Sequence, residues 1–297
     1  MVERVLRDEP MWEQPEVHDV YRRWRRLLDS YADDRGDRIA VAEAWTQTAE
    51  SMARFVRPDE LHQTFNFAWL TTPWSARGFA EVVNGSIAAL ATVQGSPPTW
   101  VLSNHDVVRH PTRYGGGPVG LARARAATLV MLALPGSAYL YNGEELGLQQ
   151  VDVAPGARQD PSWLRGGEVG RDGCRVPMPW EGDAPPYGFS TTPEQPWIPQ
   201  PPDWAALTVV AQEADEHSTL SFYRRALVAR RKHVVGTDLA CVAEAHDDVL
   251  VVRRGALTAV LNAGRGPVRL PDGEVLISSG PVGDRLPPDT AVWLRTG

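Results

Sequence analysis

Residues 100–114 read WVLSNHDVVRHPTRY. Trp100-Val101-Leu102-Ser103 is an apolar run of strand length, and it empties into Asn104, His105, Asp106 and, three residues on, Arg109. An acid, an imidazole and a guanidinium at the end of a buried strand admit two readings. They form the rim of a catalytic site, or they are a polar strand end whose groups bond one another. The surrounding sequence bears on the choice.

Upstream, residues 16–31 set Val17, Val20, Trp24, Leu27, Leu28 and Tyr31 at helical spacing, with Arg22, Arg23, Arg25 and Arg26 largely off that stripe. This predicts an amphipathic helix with an apolar core face and a solvated arginine face. RIAVAEAW (38–45) is the next strand-like run and closes on Glu43; LHQTFNF (61–67) is another. A helical pattern at 78–93 leads into TWVLSNH. Downstream, GLARARAATLVMLALPG (120–136) is an apolar helix stopped by Pro135-Gly136, and AYLYNGEELG (138–147) is a fourth strand. Strand and helix alternate, and each strand is read as hydrophobic on both faces, which predicts a parallel sheet covered by helices. Three of the four strands end in polar groups: Glu43, then Asn104-His105-Asp106, then Glu144-Glu145. In a β/α barrel the C-terminal strand ends carry the active site.

Residues 150–205 break this rhythm. They hold 11 of the 25 prolines and four of the 11 tryptophans, so the loop is either a stiff cover over the barrel mouth or a set of stacking platforms for sugar rings. A helix returns at 217–231. From about 237, DVLVVRRG, LTAVLNAG, GEVLISSG and TAVWLRTG follow one another at turn-separated intervals, predicting a small antiparallel β domain. The organisation read from this is a β/α unit over 1–235, with the long loop at 150–205, and a β domain over 236–297.

The 297 residues carry a net charge of −7, which argues against nucleic acid or an anionic membrane as partner. No apolar run reaches the roughly 18 residues of a membrane span. The opening MVERVLRDEP lacks an apolar signal core, and Cys174 and Cys241 have no metal-ligand spacing, so a cytoplasmic location is expected. Among 30 basic residues Lys232 is the only lysine, so arginine clusters such as YRRWRR are weak signals of phosphate recognition.

Taken in order, VAEAW (41–45), LSNHDVVR (102–109), YLYNGEELGL (139–148) and GRDGCRVPMPW (170–180) resemble the α-amylase superfamily of glycoside hydrolases, and more closely its bacterial α-glucosidase and oligo-1,6-glucosidase branch. The resemblance implies an α/β fold. It would be the C-terminal half of a TIM (β/α)8 barrel followed by a small antiparallel β-sandwich domain. It also implies an enzyme acting on α-linked gluco-oligosaccharides. Glu43 matches the general acid/base, which protonates the leaving oxygen and later activates water. Asp106 matches the carboxylate that grips sugar hydroxyls in the transition state. His105 would donate to those hydroxyls, with Asn104 beside it. Arg109 resembles the arginine that closes the donor pocket, and Phe67, with Phe65 and Asn66, the segment lining it. No cofactor or metal is implied.

The departures are specific. Ala42 stands where the family usually has glycine, and Ala68 where it often has aspartate after FNF. The family nucleophile is an aspartate in a Gly-x-Arg-x-Asp segment closing the fourth strand, and the chain is read as lacking that segment. Two carboxyl groups of a three-carboxylate site are thus expected. The reading is of a truncated chain, inactive alone, whose open edges favour self-association or complementation by an N-terminal half. The rival reading is a non-catalytic interaction protein built on the same remnant.

Overall fold

The computed structural model describes residues 12–33, 36–192, 196–234 and 240–296. The chain begins with helix α1 (Val17–Ser30), then β1 (Val41–Ala42), α2 (Ala49–Arg54), β2 (Gln63–Thr64), α3 (Phe67–Thr71), α4 (Ala76–Thr92) and β3 (Thr99–Val101). The first part closes with α5 (His110–Arg113), α6 (Gly117–Ala133) and β4 (Ser137–Tyr139). A long irregular stretch holding α7 (Pro161–Gly166) and α8 (Val209–Glu213) leads to α9 (Thr219–His233).

The alternation is as expected, but the strands are shorter. β1 pairs with β2 and β3 with β4, both in parallel register. Side chains tie the two pairs: Thr99 Oγ1 donates to the Thr64 carbonyl, and Gln63 reaches from β2 to Ser137 and Tyr139 of β4. Phe67, expected in a strand, opens α3 instead. Buried Asn66 caps that helix, its Oδ1 accepting from Trp69 N at 3.1 Å, and so ends the extended segment. β3 is buried throughout, while Ser137, Ala138 and Tyr139 of β4 are only half-buried, so the two-sided burial expected of every strand fails at β4.

Helix α1 forms as predicted but faces the other way. Val20, Trp24, Leu27 and Tyr31 are exposed. His18, Tyr21, Arg22 and Arg25 turn inward, because the Glu60 carboxylate is wholly buried there and a buried charge requires partners. His18 Nδ1 lies 2.6 Å from Glu60 Oε2, Arg22 and Arg57 donate to Oε1, and Arg25 donates to the Glu60 carbonyl.

The C-terminal part is β5 (Val242–His246), β6 (Val249–Arg254), β7 (Leu257–Asn262), β8 (Val268–Arg269), β9 (Glu274–Ser278), β10 (Arg285–Leu286) and β11 (Thr290–Arg295). Five strands form one antiparallel sheet in the order β5-β6-β7-β11-β9, and β8 and β10 form a separate ribbon. The sheet's inner face (Ala243, Leu250, Val252, Ala259, Leu261, Trp293) shares one apolar core with Phe79 and Val83 of α4 and Leu129 and Leu132 of α6. Its outer face, with Val260, Val292 and Leu294, packs against Leu286 of the ribbon. The expected sandwich is therefore one sheet between barrel-type helices and a two-stranded ribbon. The boundary expected at 235/236 lies outside the described residues. Among the described residues no helix is long and apolar enough to cross a membrane.

Candidate active site

Glu43 follows β1 directly and is exposed. After β3 the chain turns sharply. Asn104 Oδ1 accepts from Asp106 N at 2.9 Å and Val107 N at 3.0 Å, an Asx turn that swings His105 and Asp106 out over the strand end. Beneath it, buried Ser103 Oγ accepts from His110 N at 3.0 Å and fixes the start of α5. The segments that leave β1 and β3 meet at one rim. One donor atom each from Glu43, His105 and Asp106 lies within 4.8 Å of the other two. Glu43 and His105 border a cleft of about 170 Å³ lined also by Asn104, Phe67, Tyr139 and Tyr141. Its wall is aromatic: Trp45 stacks on Phe67 at 4.2 Å between centroids, and Phe65 meets Tyr139 edge-on at 4.9 Å.

The long loop supplies the cations. Arg171 Nη1 donates to Asp106 Oδ1 at 2.8 Å, and Arg175 Nη2 donates to the same oxygen at 3.0 Å. Arg175 Nε also donates to the His105 carbonyl at 2.7 Å. Arg171 is braced from behind, its Nε 2.7 Å from Asp160 Oδ2. Burial alone would raise the Asp160 carboxyl, but hydrogen bonds from Arg171 and Ser162 outweigh it and hold the group well below the usual carboxylate range. Glu43, His105 and Asp106 could offer three ligands to a cation. Two guanidiniums already on the same Asp106 oxygen make that a poor place for a second positive charge.

Residues 7–238 match the family described as alpha amylase, catalytic domain. The chain belongs to the alpha-amylase family. It is 28% identical to salivary alpha-glucosidase of Anopheles gambiae, covering 87% of this chain and 45% of that one. It is 30% identical to maltase 1 of Drosophila virilis, covering 74% and 36%. A probable alpha-glucosidase of Rhizobium meliloti is 38% identical over 135 residues, 44% of this chain and 24% of that one. The chain thus spans less than half the length of these relatives. Among solved structures, an alpha-glucosyl transfer enzyme superposes with a TM-score of 0.79 at 32% identity, covering 95% of this chain and 55% of that one. The trehalulose synthase MutB of Pseudomonas mesoacidophila shares the fold, with a TM-score of 0.79 at 22% identity and coverage of 95% and 59%.

Within this alpha-amylase-family chain, Glu43, Asn104, His105 and Phe67 border the cleft, and Asp106 joins Glu43 and His105 at its rim. Phe67 is buried in the aromatic wall, and Asn104 spends its oxygen on the turn. Arg109 departs from expectation. It is 1% exposed, donates to the carbonyls of Asn142 and Cys174 at 3.0 Å each, and lies over the Tyr141 ring. Proximity in sequence to Asp106 does not decide direction: Arg109 begins α5 and its side chain runs inward. Arg171 and Arg175, unremarked in sequence, take the position beside Asp106. Glu144 also leaves the expected rim. It is buried, accepts from Tyr141 N at 3.1 Å and lies 3.3 Å from the Tyr223 hydroxyl. Burial pushes its carboxyl up to about 8. A Gly-x-Arg-x-Asp string does occur, at Gly156–Asp160, but in the long loop, and its aspartate is the buried partner of Arg171.

Proposed function

We propose that these residues are the acid/base and stabiliser portion of an α-glucosidase-type retaining glycoside hydrolase acting on α-linked gluco-oligosaccharides. The convergence of Glu43, His105 and Asp106 at one parallel-strand rim carries this reading. Glu43, exposed at the cleft, protonates the glycosidic oxygen and then takes a proton from water. Asp106, pinned by Arg171 and Arg175, accepts hydrogen bonds from hydroxyls of the donor ring, and His105 donates to them. Retention needs an attacking carboxylate about 5–5.5 Å from the acid/base. Among the described residues the cluster holds only Glu43 and Asp106, and Asp106, neutralised by two arginines, is a poor nucleophile. Their oxygens also approach more closely than the roughly 6.5–9.5 Å that an inverting pair uses to hold water. The nucleophile is therefore expected from a further (β/α) segment docking against β1 and β4.

The test uses this chain completed by the N-terminal half of a close relative, in cis or in trans. Glu43→Gln should abolish hydrolysis of substrates with poor leaving groups and spare activated aryl glucosides, since only the former need the proton. Equal loss on both would remove Glu43 from the acid role.

A further inference from the structure

The chain is acidic overall, with a net charge of −7, yet one groove is lined by several cations and, among the described residues, by no carboxylate. It holds about 880 Å³ between helix α9 and strand β9. On the α9 side Arg225, Val228, Ala229 and Lys232 are spaced i, i+3, i+4 and i+7, so they present one face. Val228 is 63% exposed on that face, and Lys232, the only lysine of the chain, is exposed at its end. Arg224 at the rim is ion-paired with Glu213. Arg225 instead donates to the Glu216 carbonyl at 2.6 Å, and Arg125 to Thr219 Oγ1 and the His217 carbonyl, so neither spends its charge on a bonded carboxylate. The facing wall is a sheet edge, since β9 ends the order β5-β6-β7-β11-β9. Leu276, Ile277 and Ser278 of β9 all line the groove. Successive strand side chains alternate between faces, so three in a row reach one groove only if it runs along the strand's edge. Leu276 also has no opposite residue on β11, because the register shifts there, and a bulged residue stands outside the ladder.

We propose that this groove docks an acidic peptide segment in extended form, laid along β9. A strand edge offers backbone donors and acceptors at a spacing that another main chain matches. Val228 and Leu276 give apolar surface for alternate apolar side chains of such a segment, and Arg225 and Lys232 meet its acidic ones. A small anion would use the cations and leave the strand edge and the apolar surface idle, which favours the peptide. The groove shares no lining residue with the cleft at Glu43, so the inference stands independently of the glycoside hydrolase reading.

Fluorescence anisotropy on the 297-residue chain tests it, with dye-labelled Glu-Val-Glu-Val-Glu-Val-Glu as the probe. Saturable binding is expected, weakening as salt rises and falling about tenfold on Arg225→Ser with Lys232→Ser, as for the loss of two exposed ion pairs. Arg225→Lys with Lys232→Arg keeps both charges and should bind like the parent. Arg231→Ser, on α9 but outside the groove, should also bind like the parent; an equal loss there would reduce the effect to net charge and overturn the site. Methylating alternate amide nitrogens of the probe should abolish binding, and unchanged affinity would overturn docking along β9. Tripolyphosphate binding as tightly as the peptide would make the groove a small-anion site instead. A peptide with no saturable binding at millimolar concentration would overturn the proposal outright.

Discussion

Glu144 shows how burial, more than any neighbouring group, sets a side chain's behaviour. It stands in a chain running from the Tyr141 amide through Tyr223 to the Thr128 hydroxyl, with no cation bonded to it among the described residues, and burial raises its carboxyl to about 8. The folded state then binds a proton that the unfolded chain releases near its ordinary 4.5. Its contribution to stability is fully present below pH 4.5, declines as pH rises towards 8, and is flat above. Glu144→Gln keeps an acceptor for Tyr141 N and a neutral polar group of the same length beside the Tyr223 hydroxyl. We predict from urea unfolding at pH 5, 7 and 9 that the variant gains on the parent as pH rises, by on the order of a few kcal/mol; equal slopes would remove Glu144 from the titration. At this scale the cleft was partly legible. Glu43, His105 and Asp106 stand just past apolar extended segments and meet at one rim. Arg171 and Arg175 were hidden because 29 arginines in 297 residues blur any one arginine, and their approach to Asp106 spans 65 and 69 residues.

Helix α1 carries the clearest difference at the scale of elements. Its 3.6-residue period was plain in sequence; its orientation was not, since an apolar stripe is ordinarily the buried one. Here buried Glu60 draws the polar face inward, and Trp24, Leu27 and Tyr31 stay more than half exposed. Nothing among the described residues covers them, and such a patch marks an interaction surface. We expect the chain to self-associate at micromolar concentration, and sedimentation of Trp24→Glu with Leu27→Glu to shift it to monomer. A parent chain that is already monomeric would contradict this. Strand lengths were overestimated for a related reason: Asn66 and Asn104 end extended segments by capping and turning, which an apolar run does not reveal.

For the whole molecule, the five-stranded sheet and helices α4 and α6 share one core. Trp293 is fully buried in it, its Nε1 donating to Leu129 O at 2.9 Å, and Asn84 of α4 bonds both backbone groups of Ala243. The two parts read from sequence should therefore unfold together. Trp293→Ala is predicted to cost about 3–5 kcal/mol and to lower a single thermal transition; two separate transitions would show independent units. The order of parallel strands, apolar helices and closing β strands was legible because hydrophobic period and turn residues encode it locally. The shared core was not, since Leu129 and Trp293 lie 164 residues apart. The central claim is that this chain carries an acid/base and a stabiliser that act only with a carboxylate supplied from a further (β/α) segment. Turnover of a chromogenic α-glucoside by the purified 297 residues, with and without an N-terminal half from a close relative, tests it most directly. The account predicts background rates alone and activity on addition, abolished by Asp106→Asn. Robust turnover by the chain alone, lost on Glu43→Gln, would contradict it.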